Sequence, residues 1–182
     1  MTMQIRHYLM IISVIIIFGI CNSSAIAGEF YLHQDNQYWW YYSDDPHFFA
    51  VVPNNAERYV IKTIFGYEFL EISWDDGSVI MEIGSMVGND TDTVIDFVAK
   101  RWDGLLDNQL VFANWEITTS NKLKTYFYAL EGVGPDGKKS MLRSVYFHQG
   151  DAVVYLAMYV PSSKYQGAIK NHWLRAVNEF EW

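Results

Sequence analysis

The sequence predicts an α+β fold: an antiparallel sheet of six to seven strands, covered on both faces by two helices and an N-terminal aromatic segment. Three observations predict it. The apolar residues alternate in short runs, switch to helical spacing over residues 92–106, return to alternation, and end in a second helical stretch. The run 152–160 is apolar on both faces, with Ala152, Val154, Leu156, Met158 and Val160 on one and Val153, Tyr155, Ala157 and Tyr159 on the other. A sheet wetted on one side would alternate cleanly, so this one is sandwiched. Finally, 51% hydrophobic against 19% charged residues excludes intrinsic disorder, and 182 residues are a one-domain length.

The chain opens on a predicted export signal, residues 1–27. Arg6 supplies the positive charge, 9–20 (LMIISVIIIFGI) the apolar run, and Ala25-Ile26-Ala27 the small residues that a signal peptidase reads, so cleavage is expected between Ala27 and Gly28. About 13 apolar residues reach only ~20 Å as a helix, short of the ~30 Å hydrocarbon core. Lipidation of Cys21 would require a small residue before it, and Ile20 is bulky. The expected product is one α/β sandwich domain, residues 28–182, periplasmic or secreted, with no stable membrane insertion after cleavage. Cys21 is the one cysteine, so the mature chain has no disulfide and no thiolate metal site, which suits an oxidising compartment.

Within that domain, 38–42 (YWWYY) and 47–52 (HFFAVV) flank Asp44-Asp45-Pro46 and read as a hairpin closed by Pro53. Residues 59–65 and 67–73 are rich in β-branched and aromatic side chains; Asp75-Asp76-Gly77 is a hairpin turn, and 78–86 the return strand. In 92–106, Val94, Val98, Trp102 and Leu105 form a helical stripe widened by Ile95 and Leu106, with Asp90 or Thr91 as its cap. Residues 110–117, 124–131, 141–148 and 152–160 are the next strands, separated by turns at 134–137 and 149–151. The last helix is expected from Ser162 or Ser163 to about Glu179, with Tyr165, Ile169, Trp173 and Val177 on its apolar face.

Several stretches together resemble a known fold. They are FFAVVP (48–53), WDDGSVIMEIGSM (74–86), TDTVIDFVAKRW (91–102), the hairpins GPDGKKSMLRSVYFHQGDAVVYLAMYVP (134–161) and the terminal FEW (180–182). This order resembles the fold of the PsbP family of photosystem extrinsic proteins, the Ran-binding Mog-type proteins and the exported bacterial DcrB-like proteins. The resemblance implies a small non-catalytic protein that docks on other proteins. It supplies no catalytic motif, and the segment 29–42 matches nothing in it.

Chemistry in the residues points the same way. Removing Arg6, the one formal charge of residues 1–27, takes the net charge from −8 to −9, against nucleic acid and anionic membranes. Histidines 33, 47, 148 and 172 lack metal-ligand spacing, the glycines match no phosphate-binding pattern, and no G-x-S-x-G elbow occurs, so no cofactor, metal or catalytic residue is expected. Asp44 and Asp45 with Asp75 and Asp76 suggest paired carboxylates, although aspartate is ordinary in turns. Lys100-Arg101 reads as a solvated helix face.

The five consecutive aromatics are the unusual feature. Strand alternation places Tyr38, Trp40 and Tyr42 on one side, making them the candidate binding residues; the competing readings are a strand that merely covers the sheet and a platform for sugars. The leading expectation is an exported non-enzymatic accessory or binding protein acting through contact with another exported or envelope protein. The alternative is a periplasmic binder of a small sugar or apolar ligand, held between sheet and helix. A hydrolase assembled from scattered Ser, His and Asp is a third.

Overall fold

The structure, a computed structural model, describes residues 28–64, 66–102 and 104–182; the expected signal segment and Cys21 lie outside the described residues. The described chain runs β1 (Glu29–Leu32), β2 (Tyr38–Asp44), β3 (His47–Pro53), β4 (Arg58–Ile64), β5 (Tyr67–Trp74), β6 (Val79–Val87), α1 (Thr91–Arg101), β7 (Asp107–Thr118), β8 (Lys124–Val133), β9 (Lys139–Gln149), β10 (Ala152–Pro161) and α2 (Gly167–Asn178). Seven strands make one antiparallel sheet in the order β4-β5-β6-β10-β9-β8-β7, and β1-β2-β3 make a second, three-stranded sheet. The α+β class, the seven-stranded layer and the aromatic N-terminal cover agree with the sequence reading. Strand β1 was not expected; it pairs with β2, Phe30 opposite Tyr41 and Tyr31 opposite Trp40.

Strand β10 explains its own sequence. It lies at the middle of the sheet between β6 and β9, and all ten of its residues are buried. Val154, Leu156, Met158 and Val160 face one core, shared with Tyr41, Phe48 and Val52 of the small sheet and Trp173, Ala176 and Val177 of α2. Val153, Tyr155, Ala157 and Tyr159 face a second core under Val94, Val98 and Trp102 of the α1 region. Each large apolar side chain so buried is worth about 1.5–3 kcal/mol relative to exposure. The small sheet and α2 therefore cover one face of the large sheet, and α1 covers the other. As the connection from central β6 to edge β7, α1 is also the crossover of the sheet.

Both helices are shorter than expected. Asp90 caps α1 by accepting a hydrogen bond from the Thr93 amide at 2.7 Å. The helix ends at Arg101 because Gly104 turns the chain through φ 84°, so Leu106 reaches the core from beyond the helix. At the other end, Ser162 does not cap α2. Its amide donates to the Lys139 carbonyl at 2.9 Å, prolonging the β9–β10 ladder, and the helix starts only at Gly167 after a turn.

Candidate functional site

The small sheet carries the candidate site, and its pairing decides which side chains share a face. Opposite residues lie on the same side, so Phe30, Tyr41 and Ala50 form one row and Glu29, Tyr42 and Phe49 belong to the other side. The inner rows are core: Tyr41, Phe48, Ala50 and Val52 are buried, and Phe30 and Trp39 pack against them.

The outer side divides. Tyr38 is only 4% exposed, because α2 covers it. Its Oη lies 3.0 Å from Nδ1 of His172, and the Arg175 guanidinium carbon sits 4.0 Å from its ring centroid. Burial, with the nearby Arg175 charge, lowers the His172 pKa, so the ring is neutral at pH 7 and can accept the Tyr38 proton in a hydrogen bond. His172 is buried and stacks on Trp74 with centroids 5.8 Å apart, so it is a packing residue of α2. Tyr38 is thus separated from the other two candidate binding residues by an inter-element clamp.

Trp40 and Tyr42 remain half-buried at the surface. Tyr42 lies 4.9 Å from Phe49, 5.3 Å from His47 and 6.3 Å from Tyr31, centroid to centroid. Trp40 lies 6.1 Å from Phe49 and 5.0 Å from His33. These contacts make one continuous aromatic patch, and Tyr31 at its edge is 48% exposed. Tyr31 and Phe49 were not singled out in the sequence. Tyr31 becomes legible only once β1 is known to pair with β2, and Phe49 only once the hairpin register is fixed.

Below the patch, between the two sheets, opens a groove of about 690 Å³. Tyr41 and Phe48 wall it from the small sheet, and Tyr67 and Ile83 from the large one. Among the described residues, its ionisable lining besides tyrosine is Glu29, Asp44, Asp45 and Glu68. Tyr42 Oη donates to Asp44 Oδ1 at 2.6 Å, and Tyr31 Oη donates to Glu29. Burial, reinforced by the Glu68 charge, pushes the Tyr41 hydroxyl up to about 12, so it stays a donor at any physiological pH. Asp75 and Asp76 do not join this group. They sit in the turn at the other end of β5 and β6, where Lys164 Nζ approaches Asp75 Oδ2 at 3.1 Å.

A second polar cluster escaped the sequence reading. Glu71 of β5 and Glu82 of β6 are direct cross-strand partners, and both are buried. Arg101, read from sequence as part of a solvated face, instead folds over them, 3.0 Å from Glu82 Oε1 and 3.5 Å from Glu71 Oε2. Lys62 of β4 closes on Glu71 at 2.5 Å. Burial, with Glu71 adding to it against the pull of Arg101, raises the Glu82 pKa to about 7. The signal lay in glutamates placed mid-strand among apolar neighbours. Among the described residues no serine or threonine hydroxyl hydrogen-bonds a histidine, so the geometry of a Ser–His–Asp site is not assembled there.

No protein-family model matches the chain, and no curated protein does. Solved structures do. The solution structure of cyanobacterial PsbP (CyanoP) from Synechocystis sp. PCC 6803 aligns over 90% of this chain and 98% of its own, with a TM-score of 0.50 at 10% identity. A protein of unknown function from Pseudomonas aeruginosa, PA94, aligns over 76% of this chain and 85% of its own, with a TM-score of 0.37 at 12% identity. The first likeness establishes a PsbP-like fold. No helix of the described residues is long and apolar enough to cross a membrane.

Proposed function

We propose that this is an exported, non-enzymatic accessory protein that works by docking the outer face of its small sheet on another exported or envelope protein. One observation carries the reading: Trp40, Tyr42, Phe49 and Tyr31 form a contiguous, partly exposed aromatic patch on the face turned away from the core. Tyrosine and tryptophan bury large area at low entropy cost and dominate interface hot spots. The rings meet at an angle, 83° between Trp40 and Phe49 and 78° between Tyr42 and His47, rather than forming a coplanar shelf for a sugar ring. The PsbP-like fold and the signal-like residues 1–27 are consistent with a secreted docking protein.

The test is the double variant Trp40→Ala with Tyr42→Ala, assayed by co-purification from the native host after cross-linking. The cross-linked partner is expected to be lost, while the melting temperature falls by about 2–6 °C, because the rings are only half-buried. A partner retained at full yield would sink the proposal, and a collapse of the melting transition would reassign the rings to the core.

A further inference from the structure

We infer that Arg101 is an acid-released latch on the last turn of α1, held over the large sheet while Glu82 is charged and let go when Glu82 takes up a proton. Glu82 lies mid-strand in β6, between Glu71 of β5 and Ala157 of β10, and is completely buried. Among the described residues neither of its carboxylate oxygens accepts a hydrogen bond, and the Arg101 Nε is buried without a partner as well. The Arg101 guanidinium nevertheless stands 3.0 Å from Glu82 Oε1. Charge holds it there rather than an aligned hydrogen bond, so the hold goes when the charge goes.

The groups that face Glu82 decide which cation is released. Glu71 comes from β5, Lys62 from β4, Arg101 from α1 and Tyr155 from β10. Burial holds the Tyr155 hydroxyl well above its ordinary range, so it stays neutral. With Glu82 charged, the two carboxylates balance Lys62 and Arg101. With Glu82 protonated, Glu71 alone remains, and Lys62 at 2.5 Å outcompetes Arg101 at 3.5 Å for it. Arg101 is then the surplus charge. Burial already places the Glu82 pKa at about 7, so the switch falls near neutrality. Linkage gives the sign. When Arg101 leaves, Glu82 stays enclosed in the sheet and loses the positive charge that lowers its pKa, so it binds its proton more tightly and acid favours release. Whole-molecule unfolding has the opposite sign, because it returns Glu82 to water. Release bares the Phe69 and Trp102 rings, whose centroids lie 5.5 and 5.2 Å from the guanidinium carbon, on the side of the large sheet away from the aromatic patch. The inference does not rest on the docking reading.

The test is residue-resolved amide hydrogen exchange of the protein as purified, corrected for the intrinsic pH dependence of exchange. The probe is the Trp102 amide, which closes the last turn on the Val98 and Ala99 carbonyls, both at 3.2 Å. Its protection should fall roughly five- to thirtyfold from pH 8 to pH 5.5. Glu82→Gln imitates the protonated state, so it should show the lowered protection already at pH 8. The β10 amides of that variant should exchange no faster than in the parent, which separates a released helix end from a weakened fold. Lys62→Met, at a partly exposed position, leaves Glu71 free to hold Arg101 and should suppress the acid effect. Protection that is indifferent to pH overturns the inference, and so does protection that rises toward acid, which would mean that water reaches Glu82 on opening. Parent-like protection of Glu82→Gln at pH 8, or an undiminished acid effect in Lys62→Met, overturns it too.

Discussion

Arg101→Met is expected to destabilise the protein by about 3–5 kcal/mol at pH 8, a fall of roughly 10 °C or more in melting temperature. The substitution keeps the aliphatic stem over the Phe69 and Trp102 rings but withdraws the charge that faces Glu71 and Glu82. Two carboxylates would then lie side by side across β5 and β6 with only Lys62 in reach, and Lys62 contacts Glu71 alone. The sign with pH follows from Glu82. Its pKa is raised, to about 7 from an ordinary 4.5, so the folded state holds the proton more tightly than the unfolded one. Its contribution is most favourable below pH 4.5 and is lost as pH rises through 7. The loss amounts to about 3 kcal/mol on the linkage scale. Loss of Arg101 raises that pKa further, so the Arg101→Met penalty should be smaller at pH 5 than at pH 8. In the parent, Glu82→Gln should flatten the decline of stability between those pH values. Urea melts of the variants at both pH values check this; a penalty independent of pH would show that packing, not charge, is what Arg101 contributes.

Phe180→Ala should cost a similar 3–5 kcal/mol, by cavity formation rather than charge. Phe180 is completely buried, stacked on Phe147 with ring centroids 3.9 Å apart and on Phe48 at 5.7 Å. It therefore joins β9 of the large sheet to β3 of the small one. The chain on either side is held as well. Asn121 Nδ2 donates to the Phe180 carbonyl at 3.2 Å, and the Glu181 amide and carbonyl exchange hydrogen bonds with Phe49 at 3.0 and 2.8 Å. A cooperative urea transition shifted to a lower midpoint with unchanged slope is expected. A loss under 1 kcal/mol would mean that the two sheets do not depend on this ring.

The large-sheet architecture was legible because period-two runs apolar on both faces have one physical explanation, burial on both sides, and β10 meets it fully. Helix ends were less legible, since they depend on tertiary partners. Ser162 has the chemistry of a cap, yet its amide is taken by Lys139; Leu105 and Leu106 keep the helical period, yet Gly104 has already turned the chain. The acidic and cationic members of the β4–β6 cluster lie far apart in sequence, and only strand register brings Glu71 beside Glu82 and under Arg101. The candidate site was half legible. Alternation separates Trp40 and Tyr42 from Trp39 and Tyr41, but nothing local reveals that α2 covers Tyr38, or that Glu68 and Asp44 line the same opening.

The place of β10 also bears on how the chain becomes a protein. Its neighbours, β6 and β9, belong to two triplets, β4-β5-β6 and β7-β8-β9, that share no hydrogen-bonded edge without it. The strand that unites them is the last of the ten to leave the ribosome. Until Ala152–Pro161 arrives, the polypeptide is two open fragments tied by a helix. Joining the two triplets is thus a late event of synthesis, with only α2 and the Phe180 tail still to follow.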